Sequence, residues 1–440
     1  MTDNVKKAGT TRRRTFLKST GAAVIGGTLA YNMGIVGAMA AGSSNTLKVG
    51  LIGCGGRGTG AAAQALRADP DVVLTAMGDV FADRLEQSLK ALAEEVPTEK
   101  LKVGRDHRFV GFDAYRKVID SGVDVVLLAT PPGFRPEHMM AAVDAGKHVF
   151  CEKPVAVDAP GVRKVLAAAR KAKEKNLSVV SGFCYRYDFG NRAMFDKIRG
   201  GEIGELMAVT TMRYGTELWS FPRQPGWTDM EYQMRNWYYY HWLSGDHIVE
   251  QAVHSIDLMC WVMGDQVPIR ATGTGGRQVR TDPIFGNIYD HFAIEYEYAN
   301  GARGYHFCRQ HNNCTNRNTI EMFGSKGLAR ITMGRHVLEL SGKDNWTYNG
   351  EKNDMYQTEH DELFASIRKG RPVNDGEWMA NSTMMAIMGR DSAYTGQTIT
   401  WEDAINSDKA EGPPHDTFSW DLQWEGPGVP IPGKGVWARK

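Results

Sequence analysis

Leu47-Lys48-Val49-Gly50-Leu51-Ile52-Gly53-Cys54-Gly55-Gly56-Arg57-Gly58-Thr59 is the stretch that decides the fold of the first half of the chain. A short, mainly apolar run leads into G-x-G-x-x-G, and an Ala-rich helical stretch follows directly from Thr59. Strand, glycine turn and helix in that order make the phosphate-binding corner of a dinucleotide fold. Gly53 permits the tight turn, Gly55 lets backbone N–H groups approach a pyrophosphate, and Gly58 lets the helix pack close to the strand. Arg57 adds a cation at the same corner. Asp79 closes the next apolar run about twenty residues on, where a carboxylate accepts both ribose hydroxyls and repels a 2′-phosphate. NAD is therefore favoured over NADP.

Outward from this corner, the apolar runs Leu47–Ile52, Val72–Met77, Val123–Ala129, His148–Phe150 and Leu177–Val180 alternate with amphipathic helical stretches. That alternation is the signature of an α/β fold, here an N-terminal Rossmann domain with a doubly wound parallel sheet. From Phe183 the texture changes to longer, polar-alternating runs: Leu206–Tyr214, His291–Tyr298, Arg303–Arg309 and Thr319–Phe323. These suit a C-terminal α+β domain with an open, mostly antiparallel sheet covered on one face. Helices are expected over about His247–Met263, Glu359–Arg368 and Met379–Thr395. The expected organisation is an NAD-binding domain over 46–182, a substrate-binding and oligomerisation domain over 183–410, and a Pro/Gly-rich tail over 411–440 without a core of its own.

Composition narrows the partners. With 52 basic against 51 acidic residues the chain offers no electrostatic footprint for nucleic acid or an anionic membrane surface, so a small molecule is the expected partner. The six Cys form no C-x-x-C pair and no zinc-type Cys/His spacing, so no metal is indicated. Cys308 and Cys314 are the one sequence-near pair that a disulfide would join, although free buried Cys is the commoner state in a large chain. Residues 1–42 read as an address. Arg13-Arg14-Thr15-Phe16-Leu17-Lys18 resembles the twin-arginine export consensus, and Ala38-Met39-Ala40 resembles a signal-peptidase site. The Gly content, with Tyr31 and Asn32, argues against a spanning helix. The implied partner is the twin-arginine export machinery, and the implied location is the periplasm or beyond.

Ala129-Thr130-Pro131-Pro132 and Cys151-Glu152-Lys153-Pro154 each follow an apolar run, where a doubly wound sheet places its ligand crevice. Further on, Glu250, His254 and Asp257 are spaced i, i+4, i+7, which places them on one face of a continuous helix. Together with the glycine fingerprint, these segments resemble the Gfo/Idh/MocA oxidoreductases, over nearly all of the chain after the address segment. The resemblance implies that Lys153, of the E-K-P motif, reaches a sugar or polyol hydroxyl and the nicotinamide, with Thr130, Pro131 and Glu152 at the cofactor. It implies that His254 is the acid/base histidine of the family's D-x-G-x-H-x-x-D segment. The sequence departs from that segment at Glu250, where Asp is commoner, and at Ala252, where Gly is.

The expected catalytic set is thus Lys153, Glu250 and His254. An ammonium beside the nicotinamide stabilises a developing oxyanion, and a histidine accepts the proton that a hydroxyl must lose along with its hydride. Tyr185 and Arg186, in a segment that resembles the family's exit from the Rossmann domain, are expected substrate contacts. Arg235 and Trp237, at the aromatic run Trp237–Trp242, are expected to help hold a saccharide. The resemblance also implies a homo-oligomer. The function expected is an exported NAD-dependent oxidoreductase acting on CH–OH groups of a sugar, polyol or sugar derivative. An NAD-dependent, redox-neutral glycoside hydrolase is the alternative, and a non-catalytic dinucleotide sensor the third reading. Because the twin-arginine route carries folded proteins away from the cytoplasmic dinucleotide pool, NAD is expected to be tightly bound and regenerated within the site.

Overall fold

Apolar runs buried on both faces build the first sheet. In the computed structural model, which describes residues 45–332, 335–340 and 345–434, the strands are β1 (Leu47–Ile52), β2 (Val72–Asp79), β3 (Arg108–Val110), β4 (Val125–Leu128), β5 (His148–Cys151) and β6 (Val179–Ser181). They pair in parallel in the order β3-β2-β1-β4-β5-β6. The order reverses between β1 and β4, the point beside which doubly wound sheets bind ligands. Every residue of β4 is buried, as expected where helices cover both faces. Strand β3 was not read from sequence: it is three residues long, sits at the sheet edge and has no buried residue. The covering helices are α1 (Gly56–Ala68), α2 (Ala82–Glu95), α3 (Ala114–Asp120), α4 (Arg135–Asp144) and α5 (Ala159–Glu174). The address segment 1–42 lies outside the described residues.

Among the described residues the second sheet has nine strands: β7 (Leu206–Gly215), β8 (Arg270–Gly276), β9 (His291–Glu297), β10 (Arg303–Gln310), β11 (Arg317–Gly324), β12 (Gly327–Thr332), β13 (Arg335–Leu340), β14 (Trp346–Thr347) and β15 (Ile399–Thr400). Their order is β14-β13-β12-β11-β7-β10-β9-β8-β15, antiparallel apart from the β7–β10 pair. Burial alternates residue by residue along β9 and β10, the period of a sheet with one covered face. The remaining helices are α6 (Phe189–Arg199), α7 (Asp229–Arg235), α8 (His241–Ser244), α9 (His247–Glu250), α10 (Val253–Val262), α11 (Met355–Arg368), α12 (Gly376–Thr395) and α13 (Trp401–Ile405). Among the described residues no helix is long and apolar enough to cross a membrane.

One expected element needs correction. The helix read over His247–Met263 is two helices: the N–H groups of Gln251 and Ala252 both donate to the His247 carbonyl at 3.0 Å, which widens the turn and separates α9 from α10. Packing runs across the expected boundary between 46–182 and 183–410. Helix α11 packs on α1, α12 packs on α5, and Val373 and Asp375 exchange backbone hydrogen bonds with Val179 of β6. Asn45 onward accordingly forms one compact unit. The tail shares a core that the sequence reading did not grant it: Phe418, Trp420, Leu422 and Trp424 pack on Phe81, Phe134, Met230 and Trp242. All six Cys are free, with Cys308 buried in β10 and Cys314 exposed, so the sequence-near pair forms no disulfide.

Candidate active site

The loop between β1 and α1 has the shape that a pyrophosphate requires. Gly53 has φ +97°, and a Cβ there would lie 2.6 Å from the backbone of Ala129 and Thr130, so only glycine lets β1 turn against the end of β4. At Gly58 a Cβ would lie 1.9 Å from the Gly53 carbonyl oxygen, which is why the helix can sit so close to the strand. Gly55 and Gly56 face the opposite situation: a Cβ would meet nothing within 4 Å. They leave an open cradle at the start of α1, whose first turn has no side-chain cap and no acidic residue, so its N–H groups are available to an anion. A cavity of about 340 Å³ extends from this cradle and is lined by Gly53, Gly55, Arg57, Asp79, Thr130 and Pro131. The residues therefore fit a dinucleotide.

Asp79 ends β2 at this cavity. Its Oδ2 accepts the Cys54 N–H at 2.7 Å and its Oδ1 accepts the Phe81 N–H at 2.9 Å, so the carboxylate is fixed on the glycine loop itself. Burial raises its pKa, partly offset by those two hydrogen bonds. Arg57 is held by the E-K-P glutamate: its Nε donates to Glu152 Oε1 at 2.5 Å. Glu152 Oε2 in turn accepts the Lys153 N–H at 3.2 Å. Glu152 thereby ties the phosphate loop to the strand end that carries Lys153.

Lys153 reaches across to the second half of the molecule. Its Nζ donates to Glu250 Oε1 at 2.9 Å and to the Glu250 carbonyl at 2.6 Å. Glu250 Oε2 is buried with no hydrogen-bond partner, and so is His254 Nδ1. Two orphaned polar atoms beside one ammonium mark a place where ligand hydroxyls find partners. Burial, reinforced by the charges of Lys153, Arg213 and Arg57, holds the His254 pKa well below the ordinary histidine range, so its imidazole is neutral. The Tyr185 ring lies 4.9 Å from the His254 ring, and the Tyr185 hydroxyl accepts from Asn318 Nδ2 at 3.2 Å.

Residues 47–181 match the family described as "Oxidoreductase family, NAD-binding Rossmann fold", and residues 191–330 match its "GFO/IDH/MocA C-terminal domain". The chain belongs to the Gfo/Idh/MocA oxidoreductase family. Over 345 residues it is 26% identical to inositol 2-dehydrogenase of Rhizobium meliloti (strain 1021), spanning 75% of this chain and 93% of that one. It is 26% identical over 206 residues to 2,7-anhydro-N-acetylneuraminate hydratase of Escherichia coli (strain K12), spanning 47% of this chain and 51% of that one. The fold is similar to that of aldose-aldose oxidoreductase from Caulobacter crescentus, with TM-score 0.63 and 20% identity over 81% of this chain and 99% of that one.

Within this Gfo/Idh/MocA frame the structure brings Lys153, Glu250, His254 and Tyr185 together, and it places Trp237 on the wall of the dinucleotide cavity. Two expected substrate contacts lie elsewhere. Arg186 is committed to Asp257 and Asp265, at 2.8 and 2.7 Å, with its guanidinium 3.9 Å from the centre of the Trp378 ring. Arg235 pairs with Asp83 of α2 and Glu231 and covers the Phe81 ring at 4.0 Å, on the Asp79 side of the cavity rather than beside Lys153. Sequence reasoning missed Arg213, Gln251 and Asn318, which come from β7, the α9–α10 junction and β11, and Glu359, whose Oε1 is 3.6 Å from Arg57. Burial and the neighbouring Glu152 push the Glu359 pKa well up. None of these carries a motif; only their spatial neighbours distinguish them. The structure also gathers Asp290, His291 and His311, with donor atoms within 4.8 Å of one another. Hydrogen bonds account for this group: Asp290 Oδ1 lies 2.7 and 3.1 Å from the two imidazoles, and its Oδ2 accepts three backbone N–H groups.

Proposed function

We propose that the chain is an exported, NAD-dependent oxidoreductase that acts on a CH–OH group of a sugar, polyol or sugar derivative and keeps its cofactor between turnovers. One observation carries the reading: an ammonium, a carboxylate and a neutral imidazole converge where the E-K-P end of β5 meets α9 and α10. The dinucleotide, when bound, supplies the hydride acceptor. The chain's own groups handle the proton. Lys153, oriented by Glu250, stabilises the charge that grows on the carbinol oxygen, and neutral His254 accepts the hydroxyl proton. Asp79, fixed on the glycine loop, supports NAD over NADP because a 2′-phosphate beside it would face a carboxylate. The dehydrogenase and oxidoreductase names of the relatives support a polyhydroxylated substrate. Export rests on Arg13–Lys18, and tight retention follows from it. Met207 and Phe323, exposed on the second sheet, support self-association as a homo-oligomer.

A second reading has one observation in its favour: the Escherichia coli relative is named a hydratase of an anhydro-sugar, which is addition of water without net redox change. Both readings are tested by purifying the protein without added cofactor, assaying nucleotide released on denaturation, and following products from a panel of sugars, polyols and aryl glycosides. Retained NAD is the expected result, with sugar oxidised up to one equivalent of the bound nucleotide and further oxidation only when a second, carbonyl-bearing sugar takes the hydride back. Glycoside cleavage without net redox change would replace it with the redox-neutral reading, and absence of any dinucleotide would overturn both.

A further inference from the structure

The cations around the site are matched by carboxylates: Lys153 by Glu250, Arg57 by Glu152, and Arg186 by Asp257 and Asp265. Arg213 is not. It projects from β7, half-buried, with Nη2 3.4 Å from Gln251 Oε1 and its charge beside the Tyr185 hydroxyl, whose burial-raised pKa it partly lowers. Both partners are neutral, and among the described residues no carboxylate forms an ion pair with it. It nonetheless belongs to the site. Tyr185 stands against His254, and the charge of Arg213 is one of those that keep His254 neutral.

With Lys153 and Glu250 cancelling and His254 uncharged, one positive charge is left over. A guanidinium partly withdrawn from water is costly unless an anion meets it. Neutral sugar hydroxyls do not require such a group, because uncharged amides and hydroxyls satisfy them. The planar fork of arginine instead matches a carboxylate through two parallel N–H···O bonds. A phosphate carries about two charges at neutral pH and would call for a second free cation; Lys153 and Arg57 are both already paired.

We propose that Arg213 is a specificity residue that selects a sugar acid, a uronate or aldonate whose carboxylate sits on its guanidinium while a hydroxyl lies between Lys153 and His254. The proposal rests on the oxidoreductase reading above for the fate of that hydroxyl, but the charge selection stands apart from it. NAD-loaded full-length protein is titrated with galacturonate and gluconate, with their neutral counterparts galactose and glucitol, and with glucose 6-phosphate. Tryptophan fluorescence reads binding, and nicotinamide absorbance reads oxidation.

The expected result is that the acids bind at least about ten-fold more tightly than the neutral compounds, the yield of one charge-assisted pair. Arg213→Gln should bring the two classes to within about two-fold, and Arg213→Lys should restore part of the preference because the charge returns without the fork. Equal binding of acids and neutral sugars by the unaltered protein, or tighter binding of the phosphate ester, would overturn the proposal without any variant having to fold. Preferential binding of acids without any nicotinamide change would uphold Arg213 and count against the oxidoreductase reading. Oxidation of galactose or glucitol with no preference for acids would do the reverse.

Discussion

In the proposed reaction His254 is an uncharged base, because burial, and after it the charges of Lys153, Arg213 and Arg57, hold its pKa well below the ordinary range. Its replacement by Gln should lower kcat by about 10² to 10⁴, the usual contribution of a positioned acid/base, while NAD stays bound. Loss of nucleotide from that variant would instead make His254 a structural residue. The pH profile carries a sign of its own. A histidine base works only above its pKa, and here that pKa lies well below 6.5, so kcat/KM should stay level as pH falls through 6.5 and decline only further down. A half-maximal point near 6.5 would contradict a buried, cation-flanked imidazole. Residues whose place is imposed by local backbone were legible: Gly53 by its turn and Gly58 by its close approach, and Lys153 by its position after β5. The ion pairs of Arg186 and Arg235 were not legible because most of their acids are remote in sequence, Asp257 and Asp265 lying 71 and 79 residues on and Asp83 lying 152 residues back. Arginine type and neighbourhood alone could not separate a substrate contact from a structural ion pair.

Strands of the parallel sheet were legible wherever both faces are buried, since each then reads as an unbroken apolar run, and β3 escaped because it has no buried residue. The break between α9 and α10 was invisible for a related reason: the i, i+4 pattern runs through it, and only the doubled bond at the His247 carbonyl shows the slip. The tail is the element whose role changed most. Trp420 stacks on Phe81 at 5.3 Å and Phe418 on Phe112 at 5.7 Å, and both partners line the dinucleotide cavity. The tail thus braces the cavity wall from outside. Each aromatic pair contributes about 0.5 to 1.5 kcal/mol, so Phe418→Ala with Trp420→Ala should leave the fold intact and speed NAD dissociation several-fold. Nucleotide retained through gel filtration checks it, and unchanged retention would remove the tail from the account of tight binding.

Across the whole molecule one buried cation helps join the two halves, alongside the Lys153–Glu250 pair and the packing of α12 on α5. Arg390 of α12, 1% exposed, donates to the Val157 carbonyl on the Rossmann side and the Gly245 carbonyl on the other, and pairs with Glu411 at the head of the tail at 3.2 Å. Glu411→Ala would leave Arg390 with Asp391, at 2.8 Å, as its one remaining carboxylate among the described residues, at a cost of about 1 to 3 kcal/mol, and a lower thermal midpoint is expected. A midpoint within a degree or so of the parent would show that Asp391 and water suffice. This junction was not legible, because it unites residues from three distant stretches with no shared motif. The division into a parallel and a mainly antiparallel sheet was, because period and burial follow directly from which faces are covered.

The central claim is that Lys153 acts on a hydroxyl beside a dinucleotide lodged against Gly53–Gly58 and Asp79. It is tested most directly by rapidly mixing NAD-loaded protein and its Lys153→Met variant with the polyol or sugar acid that the binding panel selects, and following nicotinamide absorbance over a single turnover. The account predicts a prompt rise in the parent and a rate lower by at least about 10² in the variant, with NAD still bound in both. Equal rates in the two proteins, or a parent that never holds the dinucleotide, would contradict it.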